Sequence, residues 1–172
     1  MRHSIALLFE LAAVCLLGVM AGFFFAFAVD VVPAMEHLDA ASYITMQQWI
    51  NRVVRNAVFG GVYFGAMLFP FAAAAAVFGA GRRGQALGWL AIAAVYFLAV
   101  FWVTRSVNVP INNELATWSA AAPPANWEQA RDSWNQSNLI RTLAAMLCFV
   151  GSVVLVMTPR WREGLRPAEA KR

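Results

Sequence analysis

The sequence predicts an all-α integral membrane four-helix bundle, and three observations support this fold class. First, 61% of the 172 residues are hydrophobic and 13% are charged, whereas soluble domains average about 45–50% apolar and about 25% charged residues. Second, four apolar segments each reach the roughly 20 residues that a bilayer-spanning helix needs. Third, glycines recur at four-residue spacing in three of these segments, which is typical of helices that pack closely in a membrane. The length fits a single domain over residues 1–172.

The predicted spans lie at about residues 5–32, 54–80, 85–104 and 138–158. For the first of them a cleaved signal peptide is the alternative, with Arg2 as its charged start and Ala26-Phe27-Ala28 as its cleavage motif. A span is favoured, because the apolar run is longer than an ordinary signal core and Glu10 interrupts it.

The basic residues predict the orientation. With four spans, the N-terminus, the second loop and the C-terminus share one side, and eight of the 13 Lys and Arg residues fall there. Cytoplasmic segments carry the excess of Lys and Arg, so both termini are expected to be cytoplasmic. The long loops after spans 1 and 3 would then be extracytoplasmic, and a multi-pass protein of a bacterial inner membrane is the expected setting.

The net charge of +4 has a membrane explanation in this topology. Residues 159–172 would form a basic cytoplasmic tail against an anionic lipid surface, so no nucleic-acid partner is expected. With two cysteines and two histidines, the chain has little material for a metal centre. It also lacks the glycine-rich motifs of nucleotide sites, and neither a cofactor nor a metal is predicted.

The repeated glycines predict how the helices pack. The pairs are Gly18 with Gly22, Gly61 with Gly65, and Gly84 with Gly88. Small residues allow close backbone approach, so these faces are expected to meet inside one bundle. Contacts between copies in a homo-oligomer are the alternative.

One carboxylate lies inside a predicted span. Glu10 is about one and a half turns from the cytoplasmic end of the first span, where an ionised group is costly unless it is paired or hydrated. No arginine is expected at its depth, and Ser152 is the nearest polar candidate.

Charged residues also collect at the opposite rim. Asp30, Arg55, Arg105 and Arg141 should lie at similar depth, near the mouth of the bundle. The alternative for the arginines is that they extend individually to the interface.

A polar stripe runs into the fourth span. Pro123-Pro124-Ala125-Asn126 reads as the start of a helix. On that helix Trp127, Arg131, Trp134, Asn138 and Arg141 share one face. The face is expected to point at the bundle or the outer loop, with an interfacial aromatic belt as the alternative.

Two loops add candidates. Pro110 is followed closely by Asn112 and Asn113, whose amides can donate to and accept from an oxygen-bearing ligand. Turn formation and helix capping are the alternative use of these residues. The first loop offers Glu36 and His37 as adjacent titratable groups.

These motifs together resemble the anthrone oxygenase-like family of small four-helix membrane proteins. The resemblance rests on three features: the glycine-spaced first span leading to Pro33-Ala34, Pro110-x-Asn112-Asn113-x-Leu115, and Trp134-x-x-x-Asn138-x-x-Arg141. It implies oxidation of anthrone-type polyketides by dioxygen, without a cofactor. It carries over Pro33, Pro110, Asn112, Trp134, Asn138 and Arg141 as family positions.

Such chemistry needs a base, an apolar aromatic pocket and donors for a developing oxyanion. The base would be Asp30, Glu36 or His37. The predicted catalytic residues are Asn112, Asn138, Arg141 and Asp30, and the predicted substrate-binding residues are Trp134, Asn113, Pro110 and Trp127.

Two other functions are also consistent with the sequence. One is a non-catalytic membrane module that binds a lipophilic ligand or a partner membrane protein. The other is a transporter, which would require a water-filled path at Glu10. A hydrophobic small molecule or lipid is the expected partner of the oxygenase and of the non-catalytic module.

Overall fold

The computed structural model describes residues 2–164, with side chains up to residue 158. The predicted basic tail, residues 159–172, lies outside the described side chains. The described part contains five helices: α1 (Arg2–Met35), α2 (Ala40–Val54), α3 (Ala57–Gly79), α4 (Arg83–Leu115) and α5 (Trp127–Gly164).

Four of these helices confirm the predicted fold class. α1, α3, α4 and α5 are long and apolar enough to cross a membrane, α5 over Trp127–Thr158. α2 is a shorter amphipathic helix. It buries Tyr43, Ile44, Gln47 and Asn51 on one face, while Met46, Trp49 and Val53 are exposed.

The helices extend beyond the predicted spans on the side of the two long connections. α4 continues to Leu115, where the hydropathy pattern placed the end of the span at residue 104. Asn112 therefore lies on a helix and not in a loop. α5 begins at Trp127, so the tryptophan–arginine stripe and the fourth span form one continuous helix.

Local sequence explains several helix ends. The Asp39 carboxylate accepts a hydrogen bond from the Ser42 amide (2.8 Å) and so caps the start of α2. Asn56 caps α3 in the same way through the Phe59 amide (2.9 Å). The turn between α3 and α4 contains Gly81 at φ 83°, a conformation that glycine adopts without steric cost.

Two of the long helices contain π-helical turns. α1 has one over Phe27–Val31, and α4 has two, over Phe97–Trp102 and Thr104–Asn108. A proline follows two residues after the turn at Phe27–Val31 (Pro33) and two residues after the turn at Thr104–Asn108 (Pro110). A proline ring clashes with the carbonyl four residues before it. The wider π turn moves that carbonyl aside and lets the helix continue.

The core of the bundle lies where α1 packs against α3 and α5, and α4 packs against the same two helices. Its largest fully buried side chains include Leu17, Met20, Trp89 and Tyr96. Pro70 is buried inside α3, which remains continuous through it.

Each predicted glycine pair contributes one close contact within the bundle. A Cβ atom at Gly18 would lie 2.9 Å from the Phe149 ring, and one at Gly88 would lie 2.8 Å from Leu155. Gly65 faces Leu16 at 3.1 Å in the same sense. The other member of each pair, Gly22, Gly61 or Gly84, has no such neighbour within 4 Å in the described part of the chain.

The expectation for Glu10 was wrong. Its carboxylate is 1% exposed and accepts hydrogen bonds from Arg82 (2.6 Å), Gln85 (3.0 Å) and Trp89 (3.1 Å). Arg82 comes from the α3–α4 turn, and its long side chain extends inward to the depth of Glu10. Ser152 instead donates to the Phe149 carbonyl. This group, the Glu10 cluster, joins α1 to α4 at the end of the bundle opposite α2.

Candidate functional site

A cavity of about 170 Å³ lies between the bundle and α2. α5 provides Trp134, Asn138 and Arg141 to its lining, and α4 provides Thr104 and Asn112. Val109 of α4 also lines it, and its remaining walls come from α1, α2, the α2–α3 connection and α3, and include Phe24, Phe27, Ile50, Asn51, Val54, Arg55, Phe59 and Tyr63. We call this space the Arg141 cavity.

The guanidinium of Arg141 is the main charged group of this cavity. The residue is 6% exposed. Its NH1 donates to the Thr104 hydroxyl (3.1 Å) and its NH2 donates to the Asn138 amide oxygen (2.9 Å). Both acceptors are neutral. Within the described residues its Nε has no hydrogen-bond partner, and no carboxylate forms a salt bridge with it.

Aromatic rings hold the guanidinium in place. Its central carbon lies 5.1 Å from the Phe24 ring centroid and 5.4 Å from the Trp134 ring centroid. Such cation–π contacts partly compensate a buried cation, by about 0.5–2 kcal/mol each. They do not replace a counter-ion, so the cavity retains an unneutralised positive charge.

Trp134 connects Asn112 to the Arg141 guanidinium, which in turn contacts Asn138. Its indole N–H donates to the Asn112 side-chain oxygen (2.8 Å), and its carbonyl accepts from Asn108 (3.4 Å) and Ser137 (2.8 Å). Phe27 packs against its ring with centroids 5.3 Å apart. Asn112, Trp134, Asn138 and Arg141 therefore belong to one connected arrangement.

Thr142 fixes the register of α5 against α1. Its hydroxyl lies 2.8 Å from the Asn138 carbonyl and 3.2 Å from the Phe24 carbonyl. Phe24 lies just before the π turn of α1, and Thr104 of the cavity begins the second π turn of α4. Irregular turns thus lie on two walls of the cavity, as is common at functional sites.

The other predicted site residues lie elsewhere. Asp30, Glu36 and His37 are exposed, and none of them lines the Arg141 cavity. Asn113 is exposed and accepts a weak hydrogen bond from Arg55 (3.4 Å). Pro110 is exposed on α4.

Trp127 belongs to a separate cluster above the cavity. It packs on Tyr43 of α2 (centroids 5.5 Å apart) beside buried Met35, Ile44 and Leu115. Gln48 of α2 donates to the carbonyls of Leu115 and Trp118, both at 3.0 Å. These contacts hold α2 as a cover over the site.

The cavity has two different neighbours. On one side a polar vestibule of about 350 Å³ is lined by Gln48, Asn51, Arg52, Arg55, Asn112 and Ala116. On the other side lies an apolar groove of about 830 Å³, described below. Arg55, Asn51 and Asn112 are shared with the vestibule, so the cavity lies between a polar and an apolar compartment.

Three residues that line the cavity were not predicted from the sequence: Tyr63, Thr104 and Asn51. Within the described residues, the Tyr63 hydroxyl and the Asn51 amide nitrogen are buried without hydrogen-bond partners. A signal did exist for Thr104. Polar residues recur every four positions at Thr104, Asn108 and Asn112. That pattern was hidden because the span was expected to end at residue 104.

A family of known proteins is similar to this chain. A family model described as anthrone oxygenase matches residues 54–151, which is more than half of the chain and includes α3, α4 and most of α5. No curated protein and no solved structure matches the chain.

Proposed function

The chain belongs to the anthrone oxygenase family, and from this premise we propose that it oxidises a hydrophobic anthrone-type aromatic substrate with dioxygen in the Arg141 cavity. The observation that carries the proposal is the buried guanidinium whose hydrogen-bond acceptors among the described residues are all neutral. An unpaired buried charge is costly, and an anionic ligand oxygen would relieve that cost. The enolate of an anthrone is such a ligand.

The first step is ionisation of the substrate. An anthrone has a methylene group between two aromatic rings, and loss of one proton places negative charge on the ring oxygen. Arg141 and the Asn138 amide line the cavity and would donate to that oxygen, while the Trp134 indole N–H is held by Asn112. Fixed donors at a developing oxyanion stabilise it because they need no reorganisation. Among the described residues no carboxylate or imidazole lines the cavity, so the proton passes to water in the polar vestibule, which shares Asn51 and Asn112 with the cavity lining.

The second step is the reaction of the enolate with dioxygen. The electron-rich carbon transfers electrons to O₂, and a carbon–oxygen bond forms at the former methylene. The O–O bond then breaks as the second hydrogen leaves that carbon. One oxygen atom remains as the new quinone carbonyl and the other leaves in water. The apolar walls from Phe24, Phe27 and Phe59 suit both a flat ring system and dioxygen.

The test is dioxygen uptake by the purified protein in detergent, with a hydroxylated anthrone as substrate and after treatment with a chelator. Arg141→Gln should lower the rate above the detergent background by about 100-fold, the cost of one oxyanion donor. Arg131→Gln is the matched control on the same helix. Arg131 pairs with Asp132 (2.9 Å) and lies outside the cavity, so its variant should retain the wild-type rate. Equal uptake by wild type and Arg141→Gln would refute the proposal.

A second candidate is a non-catalytic module that binds a lipophilic ligand. The extended apolar groove beside the cavity favours it, since such a surface holds a ligand whether or not a reaction follows. Saturable binding of an anthraquinone together with uptake no faster than detergent alone would select this function.

A further inference from the structure

The apolar groove is a concave surface beside the Arg141 cavity. It measures about 830 Å³ and lies between α1, α2 and α3. Eleven of its twelve lining residues are hydrophobic, and the other, Asn56, uses its side chain to cap α3.

The groove adjoins the Arg141 cavity. Phe23, Phe27, Ile50, Val54 and Phe59 line both spaces. These side chains form the wall between the apolar groove and the cavity that contains Arg141. A ligand that occupied both spaces would have its polar end at Arg141 and its apolar end in the groove.

The sizes of the two spaces indicate what such a ligand looks like. Binding sites for small molecules usually measure about 300–1,000 Å³. The Arg141 cavity, at about 170 Å³, is below that range, and the groove, at about 830 Å³, lies within it. A bare ring system would fill the cavity and leave the groove empty. A ring with a long hydrocarbon substituent would use both.

We propose that the groove binds the hydrocarbon substituent of the same ligand whose oxygenated ring occupies the Arg141 cavity. The ligand class is therefore an amphiphilic aromatic ring with a long apolar tail that reaches the site laterally from the bilayer. This proposal depends on the proposed function for the position of the ring, and it adds the tail and the route.

The outer edge of the groove is suited to passage from lipid. Val19, Val53 and Val58 are exposed to 59%, 66% and 78%. Trp49 on α2 is also exposed, with Arg52 stacked on its ring at 4.7 Å. Tryptophan and arginine together are typical of a membrane–water interface, so α2 would lie at the level where a tail leaves the bilayer.

The test compares two ligands and three variants by equilibrium binding in detergent. The ligands are an anthraquinone with a decyl chain and the same anthraquinone without it. Val58→Trp and Val53→Trp fill the groove at exposed positions that need no repacking of the core. Val154→Trp is the matched control on α5, because Val154 is also exposed (58%) and lies outside the groove.

The groove variants should weaken binding of the decyl ligand by about tenfold, since excluding some 60 Å² of apolar contact costs about 1.5 kcal/mol. They should leave the affinity for the unsubstituted ring within about twofold of wild type, as should Val154→Trp for both ligands. Equal weakening for both ligands, or no weakening for either, would overturn the proposal.

A photoreactive diazirine at the end of the decyl chain provides a readout that needs no turnover. It should label α1, α2 or α3 at the groove, and excess non-photoreactive decyl ligand should abolish the labelling. Labelling that persists in the presence of this competitor would show that the groove holds ordinary lipid, which refutes the inference. An inactive protein with competed labelling would refute the oxygenase alone.

Discussion

Among the described residues, the hydrogen-bond acceptors of the Arg141 guanidinium are neutral, and the Asn138 amide oxygen is the nearer of the two. Asn138→Asp would place a nearly isosteric carboxylate where the amide oxygen now accepts from the guanidinium at 2.9 Å. The new charge would neutralise Arg141 and repel an enolate. We expect binding of an anionic hydroxyanthraquinone to weaken at least about tenfold, since like charges in a buried site cost several kcal/mol.

The same substitution at Asn113 is the control for that measurement. Asn113 is exposed and lies outside the cavity, so Asn113→Asp should bind the anion as wild type does. Both variants should retain the helical circular dichroism spectrum. Wild-type affinity in Asn138→Asp would argue that the ligand oxygen is not anionic or that it lies elsewhere.

Ionisation of Tyr43 should make the stability of the cover helix α2 depend on pH. Burial raises the pKa of its hydroxyl to about 12, with Asp132 raising it and Arg131 lowering it to smaller extents. Because the folded pKa lies above the ordinary value of 10.0, the stability from this residue is complete below pH 10 and is lost as the pH rises toward 12. Near-ultraviolet circular dichroism of the Tyr43–Trp127 pair should change over this interval.

Tyr43→Phe separates this effect from general alkaline unfolding. Phenylalanine keeps the ring contact with Trp127 and cannot ionise. The spectral change between pH 10 and pH 12 should therefore be smaller in the variant than in wild type, and an identical change in both would contradict the assignment.

At the scale of the helices, the glycine pairs predict an asymmetric response to substitution. Gly18 faces the Phe149 ring, where an added Cβ atom would lie 2.9 Å away, whereas Gly22 has no described neighbour within 4 Å. Gly18→Leu should reduce the free energy of unfolding by about 1–3 kcal/mol, the usual cost of overpacking.

Gly22→Leu tests the reading with the same change one turn away. It should be neutral or stabilising by up to about 1 kcal/mol, because leucine favours the helix more than glycine does. Unfolding of both variants by sodium dodecyl sulfate, followed by circular dichroism, provides the measurement. Equal destabilisation would indicate that the Gly22 face is also packed, as in an oligomer.

The sequence predicted the four apolar helices well because their length and composition depend on the bilayer and not on details of packing. It also predicted that Trp134, Asn138 and Arg141 share one face, because α5 is a regular helix over that stretch. Helical periodicity holds only while the helix is regular. The π turns of α1 and α4 break it, so the recurrence of Thr104, Asn108 and Asn112 every four residues did not by itself show that Thr104 reaches Arg141.

The pairing of Glu10 with Arg82 was not predicted, for a different reason. Depth was assigned from the position of each Cα along its span, and Arg82 lies in a turn. The length of an arginine side chain lets its charged end lie more than a helical turn from its own backbone. Three long-range hydrogen bonds at one carboxylate can be found only when the neighbouring helices are placed.

For the whole molecule, the two polar centres lie at opposite ends of one apolar core. Fourteen residues of α1 separate Glu10 from Phe24, which at 1.5 Å per residue is roughly 21 Å. Sites more than about 7–10 Å apart that share no partners usually act additively. The Glu10 cluster should therefore support the stability of the bundle and not the affinity of the Arg141 cavity.

Glu10→Ala tests this separation. It removes the acceptor of Arg82, Gln85 and Trp89, and should lower the free energy of unfolding by about 3 kcal/mol, near the lower end for a broken buried pair because Arg82 is partly exposed. Affinity for an anthraquinone, measured on the folded fraction, should remain within about twofold of wild type. A larger change in affinity would show that the two ends are coupled.

The π turns also bear on how this helix architecture can be altered. Each one amounts to an extra residue inserted in a helix, and one residue corresponds to a rotation of about 100°. A regular helix over the same number of residues, without the π turn at Thr104–Asn108, would rotate the segment beyond it by about 100° and would turn Asn112 away from Trp134 or Thr104 away from Arg141. Segments exchanged with another protein of this architecture must therefore carry the turn and its following proline as one unit, or the site will be assembled with its donors facing the lipid.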